Sequence, residues 1–505
     1  VGDLNEVHRM ETFDMDATNG FLDSKWYHLY CSVQRCNSAL RVLNAATDEQ
    51  VNGRVSRIAE MKVLRAHYYF ELSRLFNKIP YFDENVEISQ YPDIPNNEFT
   101  RDEILSMLAK EMLDAAELLP ASQSEVGRIH KYIALAYAAK IKLYQAYQQD
   151  ETTHAVTSIN KELLREVVSL CDQVTASNRY GLLDDFQGLD LVANENGKES
   201  VFAIQYSMND GTESAGRINW SNLLNSPGGG SPYGGDGFFL PSQDLINAYQ
   251  TDANGLPDFN YQSKSDYSWA VLNNGVYTLQ NTTPNVDPRL DFVVGRPTIT
   301  WKTYPDKPCE GWVRDKETYG YNCAKRFWVS PESSDMFNGW PWGASQLNWQ
   351  IIRYADILLW KAEALIELNE GDGLETARDL INQIRNRARN SAYVKDFNDH
   401  SKYAANYLVN PYPADVWNQD YARQALRWET RLEKALEGER FFDLVRWGIV
   451  ETTMNKYITA ESDNRIYYAN AHFTGGKDEY YPVPNNQYGF SGGKYVQNPG
   501  YAPFN

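Results

Sequence analysis

Apolar residues recur at a helical spacing in several long stretches of the chain. In residues 57–76, for example, Leu64 and Leu72 fall on one face of a helix. The same periodicity predicts helices in residues 99–120, 130–147, 161–177, 354–370, 374–388 and 421–448, the last stretch dividing into a pair. Thr100 and Glu103 have the spacing of a capping box at a helix start. The pattern therefore predicts a mainly α-helical protein.

The predicted helices come as pairs with small residues at packing positions. Such pairs are typical of tetratricopeptide-like repeats, although the period of about 34 residues is imperfect here. Two pairs precede residue 178 and two follow residue 350. We expect about four pairs, in residues 20–178 and 350–460, to form one helical scaffold assembled from both ends of the chain. Residues 461–505 are predicted to be an extended C-terminal segment.

Residues 179–349 differ in composition from the helical parts. They are rich in Gly, Pro, Asn and aromatic residues, with short strand-like runs at 200–207 and 289–295. Residues 226–237 contain many glycines and predict a flexible loop. Binding residues are usually found on loops held by a rigid scaffold. We therefore predict a single domain, 1–505, in which a loop-rich insertion with a little β-structure carries the ligand site.

Charge and hydropathy exclude some classes of partner. The 505 residues carry a formal net charge of −19. Nucleic acid and anionic lipid are bound through clustered Lys and Arg, so this charge argues against both. No apolar run reaches the length of about 18 residues that would suggest a membrane-spanning helix.

Motifs for catalysis and metal binding are absent. HExxH, GxSxG and GxGxxG do not occur, and the seven histidines show no metal-ligand spacing. Residues 251–255 (TDANG) begin like a calcium loop but lack its alternating ligands and closing Glu, so we predict an Asx-type turn there. We expect no cofactor and no metal.

Aromatic residues are the remaining chemical signal. Six of the 13 tryptophans lie between residues 301 and 349. Large rings are usually buried, so packing in the core is the ordinary explanation for these tryptophans. The alternative is an exposed platform for a carbohydrate, because the C–H faces of sugars stack on aromatic rings that lie beside polar side chains. Trp328 and Trp349 are assigned to the core. The candidate ligand-binding residues are Trp301, Trp312, Arg314, Tyr321, Asn338, Trp340 and Trp342, together with Tyr91 from the first helical part.

Two of the five cysteines flank one loop. Cys309 and Cys323 enclose a segment rich in Gly, Tyr and charged residues. A disulfide in an oxidising compartment would stabilise the fold by roughly 3 kcal/mol, and two buried free thiols are the alternative.

Several segments, in order along the chain, resemble the SusD-like (SusD/RagB) family of Bacteroidetes. Residues 351–368 (IIRYADILLWKAEALIEL) with 377–388 resemble one hallmark of that family, and 429–448 (ETRLEKALEGERFFDLVRWG) resemble a second. Further matches are residues 64–82, 100–120, 126–144, 240–252, 287–295 and 480–501. The hallmark motifs are assigned to the scaffold: Arg353 is expected to pair with a buried carboxylate, and Asp443 with Arg446 along a helix.

The resemblance implies a glycan-capturing lipoprotein on the outer-membrane surface, a binding protein and not an enzyme. Such proteins sit as a lid over a TonB-dependent SusC-like transporter and hand it an oligo- or polysaccharide. The membrane contact is implied to be an N-terminal lipid anchor, and the cysteine that would carry it is not in the sequence starting at Val1. Alternatives are a peptide-capturing RagB-like protein and, less favoured, a glycoside hydrolase. Trp340 and Trp342 are expected to face either a sugar or the transporter.

Overall fold

The computed structural model describes residues 4–212, 216–220, 225, 227–228, 230–304 and 311–504. The helices are α1 (Asn5–Glu11), α2 (Gly20–Ala45), α3 (Arg54–Phe76), α4 (Arg101–Leu118), α5 (Lys131–Ala146), α6 (Lys161–Ala176), α7 (Gln243–Ala248), α8 (Arg289–Val293), α9 (Lys316–Tyr319), α10 (Tyr354–Leu368), α11 (Gly373–Asn390), α12 (Gln419–Glu433), α13 (Arg440–Arg446), α14 (Val450–Glu461) and α15 (Asn485–Phe490). The predicted mainly helical fold class is confirmed.

The strands are short and pair two by two. They are β1 (Tyr147–Gln149), β2 (Val156–Ile159), β3 (Ser200–Ile204), β4 (Gln250–Thr251), β5 (Trp269–Asn273), β6 (Val276–Gln280), β7 (Asn285–Val286), β8 (Val294–Gly295), β9 (Cys323–Ala324) and β10 (Trp349–Arg353). The antiparallel pairs are β1–β2, β3–β10, β4–β7, β5–β6 and β8–β9.

The chain divides into two compact units. The first consists of residues 1–178, 441–456 and 470–505, and the second of residues 179–440 and 457–469. The first unit ends its long opening segment at residue 178, where the sequence predicted the change from helices to loops. The predicted domain boundaries and the single helical layer stay predictions.

In the first unit, helices α2 to α6 each pack against the next along the chain. Helix α4 begins with the predicted capping box, since Thr100 accepts from the backbone N–H of Glu103 while the Glu103 carboxylate accepts from that of Thr100 at 2.8 Å. Helix α5 lies between α4 and α6 and buries a run of small side chains. Because alanine has no atoms beyond Cβ, Ala134, Ala138 and Ala139 allow these helices to approach closely.

In the second unit, helices α10, α11 and α12 pack together. The predicted strand at 200–207 is β3, whereas the predicted strand at 289–295 is wrong for most of its length. Residues 289–293 form helix α8 because the Asp287 carboxylate accepts from the backbone N–H of Arg289 at 2.9 Å and Pro288 precedes the first turn. Only Val294 and Gly295 are in a strand.

A buried ion network connects the strand pair β3–β10 to helices α11 and α12. Arg353, at the end of β10, donates to Glu199 and to Glu433, both at 2.8 Å, and also pairs with Glu437 at 2.9 Å. Glu433 also accepts from Arg387 and, at 3.1 Å, from Arg289. The predicted partner for Arg353 is confirmed. The network fixes the strand that follows the tryptophan-rich loop.

The ionic state of Glu433 follows from its three arginine neighbours. Burial alone would raise the pKa of this carboxyl, but Arg387, Arg353 and Arg289 together lower the pKa to about 2. Glu433 is therefore a permanent anion at neutral pH, and it stabilises the fold only in that form.

Candidate ligand-binding surface

The loop before β10 turns back on itself and presents two tryptophans at its tip. Phe337 donates its backbone N–H to the carbonyl of Ala344 at 2.8 Å, which closes the base of the turn. Gly339 and Gly343 have φ angles of 123° and 71°, in the region that favours glycine. Trp340 and Trp342 lie between them with 60% and 49% of their surface exposed. The expectation that both rings project outward is confirmed.

A neighbouring segment brings a third ring to this tip. Asn219 is buried and forms two hydrogen bonds to the segment leading to β10: its backbone N–H donates to the carbonyl of Ser345 at 2.8 Å, and its side-chain amide donates to that of Leu347 at 3.1 Å. The next residue, Trp220, is 41% exposed and meets Trp340 edge-on, with ring centroids 5.0 Å apart and an interplanar angle of 78°. Trp220 is not among the predicted site residues because it lies outside the tryptophan-dense segment.

A glycine-containing loop lies against Trp342. Gly234 has a φ of 69°, and a Cβ added there would lie 3.3 Å from Cγ of Trp342, so this backbone lies directly against the indole. Arg314 donates to the carbonyl of Asp236 at 2.8 Å and so fastens the same loop. Arg314 is exposed, and its assignment to the ligand site stays a prediction.

We call Trp220, Trp340 and Trp342 the tryptophan surface. Asn338, which is exposed, stands two residues before Trp340 and adds an amide to the same loop tip. Exposed indole faces attract the apolar C–H faces of a ligand, while amides bond to its hydroxyls. This combination suits a neutral, hydroxyl-rich ligand.

Two predicted site residues prove to be core. Trp301 is fully buried and donates its indole N–H to the hydroxyl of Tyr233 at 3.0 Å, and Trp312 is buried against it with ring centroids 5.1 Å apart. Trp328 belongs to the same buried cluster, as predicted. Among the described residues between 230 and 349, the longest helix has six residues, so large rings fill the core of this part of the unit. The prediction of an exposed platform is wrong for Trp301 and Trp312.

Tyr91 is also removed from the candidate surface. Its ring is buried in the first unit and stacks on Phe82 with centroids 3.9 Å apart, while its hydroxyl accepts from Arg41 at 3.1 Å. Tyr321 is half-buried and meets Tyr277 edge-on at 5.3 Å. Its assignment to the ligand site stays a prediction. Trp349 is half-buried against Phe327, with centroids 4.7 Å apart.

An acid with an unusual pKa, Glu195, contacts the segment between the tryptophan loop and β10. The carboxylate of Glu195 accepts from the backbone N–H of Asn348 at 2.6 Å. Burial raises the pKa of Glu195 to about 7, with a smaller repulsive contribution from Asp335 and an opposing one from the Asn348 hydrogen bond. The Glu195 hydrogen bond fixes the backbone at Asn348, just before β10, and a pKa of about 7 means that this carboxyl changes charge near neutral pH.

Other features of the chain bear on metal binding, membranes and disulfides. Asp252 accepts from the backbone N–H groups of Asn254 and Leu256 at 2.8 and 2.9 Å, which confirms the predicted Asx-type turn. Within the described ranges, no group of three His, Cys, Asp or Glu is arranged to hold a metal ion.

Among the helices of the described part, none is both long and apolar enough to cross a membrane. Cys323 is buried, with its thiol 3.7 Å from the carbonyl of Gly295, and Cys309 lies outside the described residues, so the disulfide stays a prediction.

Known proteins share both sequence and fold with this chain. The model of the SusD family matches residues 198–501, and a second family model, described as starch-binding and associating with the outer membrane, matches residues 3–143. A SusD-like protein of Bacteroides ovatus is 22% identical over 457 residues, which are 86% of this chain and 67% of the relative.

Two solved structures show the same fold. A SusD superfamily protein from Bacteroides vulgatus has a TM-score of 0.72 at 21% identity, covering 99% of this chain and 90% of its own. Surface glycan-binding protein A from Bacteroides uniformis has a TM-score of 0.65 at 18% identity, covering 98% and 89%. At these identities, the similarity establishes the fold and leaves the ligand to be inferred from the site.

Proposed function

Because this chain belongs to the SusD family, we propose that it is a cell-surface protein that binds an oligo- or polysaccharide and delivers it to a SusC-like TonB-dependent transporter. The observation that carries the proposal is the tryptophan surface, in which three rings are 41–60% exposed at one place. An indole exposed to water does not contribute the stabilising free energy of burial to the fold. Groups of exposed apolar rings therefore mark interaction sites. The name of the structural neighbour from Bacteroides uniformis supports a glycan as the class of ligand.

The geometry favours sugar rings that contact the indoles one at a time. Trp220 and Trp340 stand nearly perpendicular at 5.0 Å, so no sugar ring fits between them. Each outer face, and the exposed part of Trp342, offers a separate stacking position. A chain of sugars that bends between successive units matches such differently oriented planes better than a flat ribbon does.

The proposed location is the outer-membrane surface, with a lipid anchor as the membrane contact. The description of the second matching family model supports this location. We propose binding without catalysis, and release of shortened glycan from a bound polysaccharide would contradict that part.

Affinity electrophoresis against a panel of neutral and acidic polysaccharides tests the proposal. One glycan class should retard the protein, and Trp340→Ala or Trp342→Ala should weaken the affinity at least about tenfold, because a central aromatic contact dominates small binding sites. Trp269→Ala is the matched control, since Trp269 lies on the β5–β6 hairpin and is 49% exposed, like Trp342.

Each alternative has its own outcome. Retention of a mixed peptide pool with no retardation by any polysaccharide would establish the peptide-capturing alternative. If both loop variants bind glycan normally but no longer co-purify with the transporter, the tryptophan surface is the partner contact. If neither property changes, the tryptophan surface is not the functional site.

A further inference from the structure

The second unit contains a cavity of about 500 Å³ that none of the three residues of the tryptophan surface lines. This volume lies in the range of small-molecule sites. Three cationic side chains, Lys302, Lys325 and Arg326, line it together with the carboxylate of Asp190. Thr303 and Ser330, whose hydroxyls bond to each other, also line the cavity.

Positive charge exceeds negative charge on the cavity wall. Asp190 already accepts from Arg326 at 3.0 Å, from Lys302 at 3.2 Å and from the backbone N–H of Phe327 at 3.1 Å. Burial alone would raise the pKa of Asp190, but attraction to Lys302 and Arg326 outweighs it and holds the pKa below its usual value. The carboxylate is thus an anion whose hydrogen-bonding capacity is largely used.

Lys325 contributes a charge without an acidic side chain bonded to it among the described residues. Its ammonium donates to the backbone carbonyls of Asp291 at 2.6 Å and Thr300 at 3.0 Å, which accounts for two of its three N–H groups. Burial lowers the pKa of Lys325 to about 8; attraction to the Asp291 carboxylate opposes this shift, while the nearby Lys302 and Arg296 add to it. A further anion beside Lys325 would offset the cost of burying its charge.

The remaining charged groups of the lining are already paired or hydrogen-bonded. At the rim, Lys198 pairs with Asp184 at 2.8 Å. Asp185 accepts from the backbone N–H groups of Gln187 at 2.9 Å and Ala392 at 3.1 Å. Among the described residues, four cations and three carboxylates line the cavity. Arg326 also pairs at 3.2 Å with Glu437, which lies outside the lining, so Lys325 is the lining cation with no acidic side chain bonded to it in the described part of the chain.

The backbone is strained where it supplies these cations. Lys302 has a φ of 45° and Phe327, next to Arg326, a φ of 69°. A left-handed conformation at a residue other than glycine is unfavourable and is retained only where the surroundings enforce it, often at binding sites.

We propose that this cavity is a second binding site, which takes a single acidic sugar unit. The carboxylate of the sugar would lie between Lys302 and Lys325, and the hydroxyls of Thr303 and Ser330 would bond to its ring hydroxyls. The site does not depend on the tryptophan surface, so the two proposals fail separately.

Isothermal titration calorimetry with sodium D-glucuronate tests this site, with D-glucose and sodium acetate as matched probes that lack the carboxylate and the hydroxyls. Saturable binding of glucuronate is expected, with glucose and acetate at least about tenfold weaker, since a charge-assisted hydrogen bond is worth about that factor. Methyl glucuronide distinguishes a chain-end unit, which it mimics, from a free sugar acid.

Lys302→Gln should weaken glucuronate binding at least about tenfold, whereas Lys402→Gln, at an exposed lysine of the same unit, should leave it unchanged. Leu191→Trp, at an exposed position of the lining, should weaken binding by obstruction without removing a charge. Trp340→Ala should have no effect. The proposal is overturned if glucuronate does not bind saturably, if glucose or acetate binds equally well, or if both Lys302→Gln and Leu191→Trp bind like the wild type.

Discussion

Glu433→Gln tests whether the buried ion network holds the second unit together. The change keeps the shape of the side chain but removes the negative charge among Arg289, Arg353 and Arg387. The pKa of Glu433 falls from its ordinary 4.5 to about 2 in the folded protein. At 1.36 kcal/mol per pKa unit, this corresponds to about 3 kcal/mol of stability at neutral pH, the magnitude usually found when a buried ion pair loses one partner.

The pH dependence of this loss has a definite sign. A carboxyl whose folded pKa is lowered stabilises the fold fully above its unfolded pKa, and loses that contribution as the pH falls through 4.5 toward 2. The difference between wild type and Glu433→Gln should therefore shrink from about 3 kcal/mol at pH 7 to about 1 kcal/mol at pH 3.

Urea unfolding followed by tryptophan fluorescence measures both quantities, with Glu332→Gln as the control at an exposed glutamate of the same unit. The control should shift the transition by less than about 0.5 kcal/mol. A Glu433→Gln transition within the same margin at pH 7, or a difference that does not shrink at pH 3, would refute the reasoning.

Three further predictions concern the tryptophan surface and its support. Gly234→Val should displace Trp342 and weaken glycan binding about tenfold. The new Cβ would lie 3.3 Å from the indole, and the φ of 69° at residue 234 is unfavourable for valine. Unchanged affinity would contradict this contact. Trp301→Ala should lower the free energy of unfolding by about 3–5 kcal/mol while Trp340→Ala changes it by less than about 0.5 kcal/mol, as chemical denaturation will show. Glu195→Gln should raise the melting temperature at pH 8 and leave it unchanged at pH 4, because the raised folded pKa makes the ionised carboxylate destabilising only at higher pH; equal melting temperatures at pH 8 would disprove it.

Local signals were enough to predict most helices. The capping box depends on only four consecutive residues, Thr100 to Glu103, and helix α4 starts there as expected. The strand predicted at 289–295 failed because Asp287 and Pro288 set a helical turn that outweighs the β-propensity of the following residues. Short elements depend on such neighbours more than on their own composition.

The candidate site was less predictable than the fold because exposure is a tertiary property. Trp301 and Trp340 belong to the same tryptophan-rich stretch of sequence, yet one is fully buried and the other is the most exposed ring of the site. Asn219, next to Trp220, bonds to a segment more than a hundred residues away in the sequence, and no local pattern indicates such a contact.

The two hydrogen bonds from Asn219 to the segment before β10 have a consequence for how a ligand is captured. Asn219, next to Trp220, is hydrogen-bonded to Ser345 and Leu347, and β10, which follows these residues, ends at Arg353 in the buried ion network. The rings are therefore already in place before a ligand arrives, and little conformational entropy of the protein is lost on binding. The entropic cost falls on the glycan, so among glycans with the same sugar units, stiffer chains should bind more tightly than flexible ones.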